Sequence, residues 1–523
     1  MNIQIYGGIN QIGGNKIFVN VGERCFLFDF GLSFTDNKEY FGDFLQPRRL
    51  NGILDYLYLN LIPPVNSIYR EDCVRPPRFA NVLSKYSISP QSETKLDGFF
   101  LTHPHLDHYR FMGFLRQDTP MYINSLSQAI LNYIDQTSNA SYTKNLLNFY
   151  RRFHTVPYRT KNGMKRARRL SDYDDLDTNR PINILEPQDT VEFKNKRGSI
   201  EIGSYAVDHS IPGSSAYILE YDGVSMVYTG DLRKHGKHSE WVDEFISKAT
   251  ASNPVVIITE GTNIPDIESY NAGNYKNAQK SERYVEDESL NEIKQHEGLV
   301  FVDFPVRNLD RIITYTNLAK KTDRIFAVPP KLHRYVAELR DYAENLDEKH
   351  KESFLKAYDL PEPNGTYMKP YLRRKRWGLF EAQDYHSYSR DVFNSEDFLT
   401  FKDIQDDPSR YLVYLNFYML PEIIDIDPDP GSTLFINSTT DPFDKEMEIQ
   451  EERMEAWLNR FNIEKTKTIH SSGHCSTDDL VKLLGQINAD KVIPVHTENM
   501  DTFPHLGLSS EIIHVQIGQK IGF

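Results

Sequence analysis

The sequence predicts an α/β protein whose middle is organised differently from its two ends. Three patterns carry that expectation. The first third reads as short Ile-, Val- and Phe-rich runs joined by Gly-rich turns, the signature of strands. From about residue 263 to 430, helical and strand-like segments alternate, as in a βαβ unit with a parallel sheet. The last stretch returns to strand, helix, strand.

In chain order, strands are expected at Asn2–Tyr6, Lys16–Asn20, Cys25–Asp29 and Gly98–Leu101. A helix is expected after His108 and another over Ser125–Gln136, followed by strands at Ser199–Val207, Ser215–Glu220, Val224–Thr229 and Val255–Thr259. The middle alternates strand Leu299–Asp303, helix Asn308–Lys320, strand Ile325–Val328 and helix Leu332–Asn345. Pro and Gly mark loops at Pro361–Gly365 and Asp427–Gly431. The end reads strand Thr466–Ile469, helix Thr477–Ile487 and strand Lys491–Val495.

Composition narrows the function classes. A chain of 523 residues buries a large core without staples. Its three cysteines, Cys25, Cys73 and Cys475, include no CxxC pair, which argues against a disulfide scaffold and fits a reducing cytoplasm. No run reaches the ~18 apolar residues of a membrane span, and the start has no secretory pattern. The formal net charge of −14 does not favour a polyanion partner, although net charge does not set the charge of a local groove.

The decisive segment is Thr102-His103-Pro104-His105-Leu106-Asp107-His108, at the end of the Gly98–Leu101 run. It packs four ligand-type side chains into six residues. Imidazole nitrogen with carboxylate oxygen suits zinc, and one zinc takes about four ligands, so two ions need further ligands from elsewhere. Candidates stand at strand ends: His209 after Ser199–Val207, Asp231 after Val224–Thr229 and His496 after Lys491–Val495. Each alone reads as structural; their repeated placement is the signal.

The segment 103–108 resembles the His-x-His-x-Asp-His signature of the metallo-β-lactamase superfamily, and Asp29, His209 and Asp231 look like its first, third and fourth motifs. The resemblance implies an αββα four-layer sandwich binding two Zn2+, with Mn2+ or Mg2+ as alternatives. His103, His105 and His209 would hold one ion, Asp107, His108 and His496 the other, and Asp231 would bridge them. Asp29 would orient the ligand loop from outside the coordination sphere, the alternative being a turn cap. Glu260, His474 and His496 look like motifs A, B and C of the β-CASP nuclease branch. The resemblance then divides the chain into 1–262, an inserted β-CASP domain at 263–465, and a return at 466–523. Gly7–Asn15, His470–His474 and Pro494–His496 resemble ribonuclease J, while Pro104 and Leu106 depart from its usual Gly and Glu. A faint likeness to the family's Ser-Asn-x-His-Arg helix start lies at Phe304–Arg311.

The implied function is zinc-dependent hydrolysis of single-stranded RNA, as 5′-exonuclease, endonuclease or both, with homodimerisation open. His496 at motif C tilts the reading to RNA over DNA. His474 would be the general acid, Glu260 its partner, and Asp107 the third catalytic residue. His470, Ser471, Ser472, Gly473 and His474 would bind substrate phosphate, since hydroxyls and a Gly backbone can approach phosphate oxygens. For Ser471 and Ser472 the alternative is an N-cap, and Cys475 reads as a small buried filler. Two cationic stretches, Tyr150–Arg169 and Tyr371–Trp377, suit either a single-strand channel or a solvated surface. The rival functions are a DNA nuclease or small-phosphodiester hydrolase on the same chemistry, and an inactive RNA-binding subunit.

Overall fold

The computed structural model describes the chain apart from residues 43, 49–50, 75–94, 139–145, 148–154, 160–162, 164, 170–178, 197, 275–279, 364, 377, 395–396 and 443–444. It divides into two compact units. Met1–Lys234, His238–Lys276 and His474–Phe523 form the first; His235–Lys237 and Asn277–Gly473 form the second. Both main crossings, after 276 and after 473, fall later than the expected boundaries at 262 and 465.

The second crossing has a hydrogen-bonding cause. The segment expected to return as strand Thr466–Ile469 stays with the inserted sheet: Thr466 N–H donates to Phe435 O and Ile469 N–H to Asn437 O. Ser438 Oγ donates to Ile469 O. The regular strand here is only Glu464–Lys465.

The first unit holds two seven-stranded sheets. One runs, edge to edge, Lys520–Gly522, Asn2–Ile5, Ile17–Val21, Arg24–Phe28, Gly98–Phe100, Met121–Ile123 and Ile182–Ile184. The other runs Glu511–Ile512, Lys491–Pro494, Val256–Thr259, Val224–Tyr228, Ser215–Tyr221, Gly198–Ala206 and Thr190–Asn195. Their facing side chains merge into one apolar core, with Ile3, Phe28 and Phe100 from the first sheet against Tyr217, Met226, Ile258 and Ile493 from the second. Each such side chain contributes roughly 1.5–3 kcal/mol by leaving water. Helices Ser239–Ala251 and Thr477–Ile487 cover the outer face of the second sheet. Val242, Phe245, Ile246 and Ala249 recur at helical spacing and bury there with Leu480, Leu483 and Leu484. Val256–Thr259, covered on both faces, is buried at every position, as expected for a parallel interior strand.

Strand direction positions the chemistry. Gly198–Ala206 and Val224–Tyr228 both run antiparallel to the strand between them, and Val224–Tyr228, Val256–Thr259 and Lys491–Pro494 are mutually parallel neighbours. Their carboxyl ends therefore share one edge, where the chain leaves the sheet with free polar groups and ligands characteristically bind. Asp208-His209, Asp231, Glu260 and His496 follow those four ends. Arg24–Phe28 and Gly98–Phe100 are parallel in the other sheet and are followed by Asp29 and by the 103–108 loop.

The second unit holds a six-stranded, fully parallel sheet in the order Met368–Pro370, Ile325–Val328, Tyr411–Tyr414, Leu299–Asp303, Thr433–Asn437, Glu464–Lys465. Asn308 caps helix Leu309–Lys321, its side chain accepting from Arg311 N–H at 3.1 Å. The fully buried Arg311 guanidinium pairs with the Glu282 carboxylate inside this unit. The three cysteines are buried, and no helix among the described residues is long and apolar enough to cross a membrane.

Candidate metal centre

Seven side chains from four stretches of the first unit meet at one point. The ring nitrogens of His103 and His209 lie 3.1 and 3.0 Å from His105 Nδ1. Asp107, His108, Asp231 and His496 form an adjoining group. There His496 Nε2 is 3.1 Å from Asp107 Oδ2 and 3.4 Å from Asp231 Oδ2, and His108 Nε2 is 3.1 Å from Asp231 Oδ2. Asp231 Oδ2 is common to both groups, since His103 Nε2 and His209 Nε2 stand 3.6 and 3.9 Å away.

The residues fit a metal. Nitrogen lone pairs held about 3 Å apart repel unless a proton or a cation lies between them, and tetrahedral zinc–imidazole bonds of ~2.0–2.1 Å put neighbouring nitrogens about 3.3 Å apart. His108 Nε2 and Asp231 Oδ1 are buried without a directed hydrogen bond, a costly state that a metal bond relieves. Burial would raise the Asp231 carboxyl, but His108 and His496 hold it well below the usual carboxylate range. Burial likewise favours a neutral Asp107, yet His108 and His496 pull it down to about 2. His103 is lowered well below the usual imidazole value by burial and by His108 and His209. In His108, burial is outweighed by Asp231, Asp29 and Asp107, which raise it well above that value.

The backbone holds this loop under close constraint. Asp29 and His496 both adopt left-handed φ, +55° and +53°, which costs non-glycine residues on the order of 1–3 kcal/mol. Asp29 N–H donates to Phe100 O at 2.9 Å and His496 N–H to Gly8 O at 2.7 Å, pinning both. A Cβ on Gly31 would lie 1.4 Å from the carbonyl oxygen of Asp107, and one on Gly13 would lie 2.6 Å from the Asp107 side chain. The glycine-rich opening therefore lets the chain pass directly beneath the metal loop.

Asp29 is fully buried and acts on the ligands, not on a turn. Its Oδ1 accepts from Thr102 N–H at 2.8 Å; its Oδ2 faces Thr102 Oγ1 at 2.8 Å, Tyr228 Oη at 2.7 Å and His108 Nδ1 at 2.7 Å. Thr102 Oγ1 also lies 3.0 Å from His103 Nδ1, and Asn15 Nδ2 donates to Tyr228 Oη at 3.0 Å. With their Nδ1 atoms satisfied from outside, His103 and His108 are left to present Nε2 inward. Thr102, Tyr228 and Asn15 carry no sequence spacing signal; a lone Tyr at an apolar strand end reads as core. Replacing Tyr228 by Phe is expected to lower zinc affinity about 10-fold or more, as loss of such outer partners typically does. Competition with a colorimetric chelator measures it, and an unchanged affinity would deny Tyr228 that part.

Beside the cluster, both Glu260 oxygens accept backbone N–H groups, Cys475 to Oε1 at 3.1 Å and Thr262 to Oε2 at 3.0 Å. His474 Nδ1 lies 3.4 Å from Glu260 Oε2 and 3.9 Å from Asp231 Oδ2. Burial alone would lower the His474 imidazole, but Glu260 and Asp231 raise it to about 9.

The other expected phosphate-binding residues, His470, Ser471, Ser472 and Gly473, belong to the second unit. Ser471 Oγ is buried with no hydrogen-bond partner among the described residues, His470 Nδ1 lies 3.3 Å from Ser438 O, and a His235 ring nitrogen lies 2.9 Å from Ser472 O. The N-cap of Thr477–Ile487 is Ser476, whose side chain accepts from Asp479 N–H, which removes the capping alternative for Ser471 and Ser472. Cys475 is buried in the core beneath that helix.

Of the cationic stretches, Arg373–Arg376 is engaged inside its own unit. Arg373 donates to Tyr418 O, Arg374 pairs with Asp425, Lys375 lies over the Tyr385 ring, and Arg376 donates to Gln383 O. Those contacts support the structural alternative for this stretch; Trp377 lies outside the described residues. In Tyr150–Arg169, Thr155–Arg159 and Lys165–Arg169 pair as a two-stranded antiparallel ribbon; the rest, except Gly163, lies outside the described residues.

Fold and ligand set together define a metal-dependent hydrolase. Residues 460–506, which include His474 and His496, match the Zn-dependent metallo-hydrolase RNA specificity domain. No curated protein matches the chain. A crystal structure of a protein of unknown function from Enterococcus faecalis V583 is similar over 99% of both chains, with a TM-score of 0.66 at 19% identity. YhfI, a metallo-β-lactamase fold protein from Bacillus subtilis, is similar over 50% of this chain and 70% of its own, but the TM-score of 0.25 at 14% identity carries no weight. The likeness of residues 460–506 to a Zn-dependent metallo-hydrolase domain, together with the seven-ligand cluster, supports a place in the metallo-β-lactamase superfamily with a β-CASP-like organisation.

Proposed function

We propose that the protein is a two-zinc ribonuclease of the β-CASP type, similar to ribonuclease J, that hydrolyses phosphodiester bonds of single-stranded RNA in the cytoplasm. One observation carries the reading: His474, with its Glu260 partner, stands beside seven convergent ligands and lies in the stretch that matches an RNA specificity domain. His103, His105 and His209 would hold one ion, and Asp107, His108 and His496 the other, with Asp231 shared. When bound, the two ions supply a water of lowered pKa and positive charge against the phosphodiester oxygens.

The chain's own residues do the rest. Glu260 beside His474 raises the imidazole, which favours the proton that it would give. Its Nδ1 faces Glu260 and Thr262, which leaves Nε2 to deliver that proton to the departing ribose oxygen. The products would carry a 5′-phosphate and a 3′-hydroxyl. His470–Gly473 would bind substrate phosphate through backbone N–H groups. Asp29 fixes the ligand loop.

The test is incubation of the zinc-loaded chain with 5′-monophosphorylated, 5′-triphosphorylated and circular RNA, beside single-stranded DNA and a small phosphodiester. RNA is expected to be cut to 5′-phosphate products and DNA spared. Cutting of the circle reports endonuclease action, and preference for the monophosphate reports 5′-exonuclease action. Hydrolysis of the small diester or DNA with all three RNAs left intact would overturn the RNA reading.

A further inference from the structure

We infer that Thr262 is a positioning residue that orients the metal-facing His496 and the proton-donating His474 through one hydroxyl; the inference rests on those two assignments. Thr262 Oγ1 lies 2.8 Å from His496 Nδ1 and 3.1 Å from His474 Nδ1. The remaining acceptor in reach is the His496 carbonyl oxygen, at 3.3 Å. A hydroxyl has one proton to give and two lone pairs that accept. His496 turns Nε2 toward Asp107 and Asp231, so its N–H is on Nδ1 and donates to Thr262. As the proton donor, His474 carries N–H on Nδ1 as well, so the second lone pair of Thr262 Oγ1 accepts it and the Thr262 proton is left for the His496 carbonyl oxygen.

The same device appears on the other side of the centre. Thr102 Oγ1 faces His103 Nδ1 and gives its proton to the Asp29 carboxylate. In both places a threonine hydroxyl takes the outer N–H of a metal-facing imidazole and also meets a second functional group. The difference lies in that second partner. Thr102 gives its proton to a carboxylate that serves only the ligands, whereas Thr262 accepts from the proton donor.

Thr262 is itself held. Its N–H donates to Glu260 Oε2 at 3.0 Å. The adjacent Asn263 Nδ2 donates to the carbonyls of His474 and Cys475 at 3.0 and 2.9 Å, and Thr477 Oγ1 donates to Asn263 O. The 260–263 turn is thus bound to the backbone that carries His474. The hydroxyl is placed by contacts of its own N–H and of Asn263, which survive a change of the Thr262 side chain.

Thr262→Val keeps the shape and removes the hydroxyl, while Thr262→Ser keeps the hydroxyl and removes the methyl. Zinc affinity is read by chelator competition, which needs no substrate and stands apart from the RNA reading. Thr262→Val is expected to bind zinc about 10-fold or more weakly. At saturating zinc its kcat on RNA is expected to fall while KM holds, and Thr262→Ser is expected to restore both. If Thr262→Val matches wild type in both measurements, or if Thr262→Ser is as impaired as Val, the hydroxyl has no such part. A wild-type chain that binds no zinc removes the metal assignment and this inference together. A chain that binds zinc but leaves RNA intact removes only the substrate reading, and the zinc arm still decides.

Discussion

Asp231→Asn is expected to leave the purified protein with less than half the zinc of wild type, with affinity lost by more than about 100-fold. That exceeds the ~10–100-fold typical of a lost outer partner, because here the lost charge sits at the centre. One carboxylate oxygen lies within 3.9 Å of nitrogens from His103, His108, His209, His474 and His496. Asn presents a neutral oxygen in the same volume, and an ion already ringed by imidazoles loses the nearest anion. Asp107 cannot compensate, since its Oδ2 approaches His496 at 3.1 Å but His108 only at 3.9 Å. The substitution also leaves the His108 cation, raised first by Asp231, with a weaker set of acids in a buried place. Metal analysis after dialysis, with a melting curve of the metal-stripped protein, separates the two effects. Wild-type zinc content in Asp231→Asn would remove Asp231 from the centre.

The parts of this centre legible in the sequence share a physical property. The 103–108 loop was readable because four ligand types crowd into six residues, which packing alone does not demand. His209, Asp231 and His496 were readable because strands end beside them, and a polar residue at a strand end has an open edge to face. Thr102, Tyr228, Asn15 and Thr262 were not readable. Their role depends on partners met across 73 to 234 positions of chain, or on a direct neighbour whose geometry no pattern fixes. The glycine-rich opening is recognisable by likeness alone, and the close passage of its Gly13 against Asp107 appears only in three dimensions. Core elements fared similarly. Strands Leu299–Asp303 and Ile325–Val328 and helix Thr477–Ile487 were legible to the residue, because their apolar periods are unbroken. Thr466–Ile469 reads as a returning strand, yet its backbone bonds go to strand Thr433–Asn437 of the inserted sheet, a partner choice that local pattern does not encode.

His474→Ala is expected to lower RNA cleavage by about 10²–10⁴-fold, the usual worth of a positioned proton donor, while zinc content stays at the wild-type value. The second half of that expectation is the discriminating one. His474 lies near enough to His209 and Asp231, and to Glu260 and His496, to count as a ligand by distance alone. Its Nδ1, however, is already faced by Thr262 and Glu260 at 3.1 and 3.4 Å, so a metal bond there would displace both. If His474 were a ligand, the Ala variant would lose zinc and hydrolyse every phosphodiester poorly. If it is the proton donor, the loss should follow the leaving group. A ribose oxygen departs as a strong base and needs the proton, whereas a nitrophenolate departs without one. The Ala variant should therefore hydrolyse a bis(nitrophenyl) phosphate at close to the wild-type rate and fail on RNA. Equal losses on both substrates at full zinc occupancy would show that His474 acts on substrate binding and not on the departing oxygen.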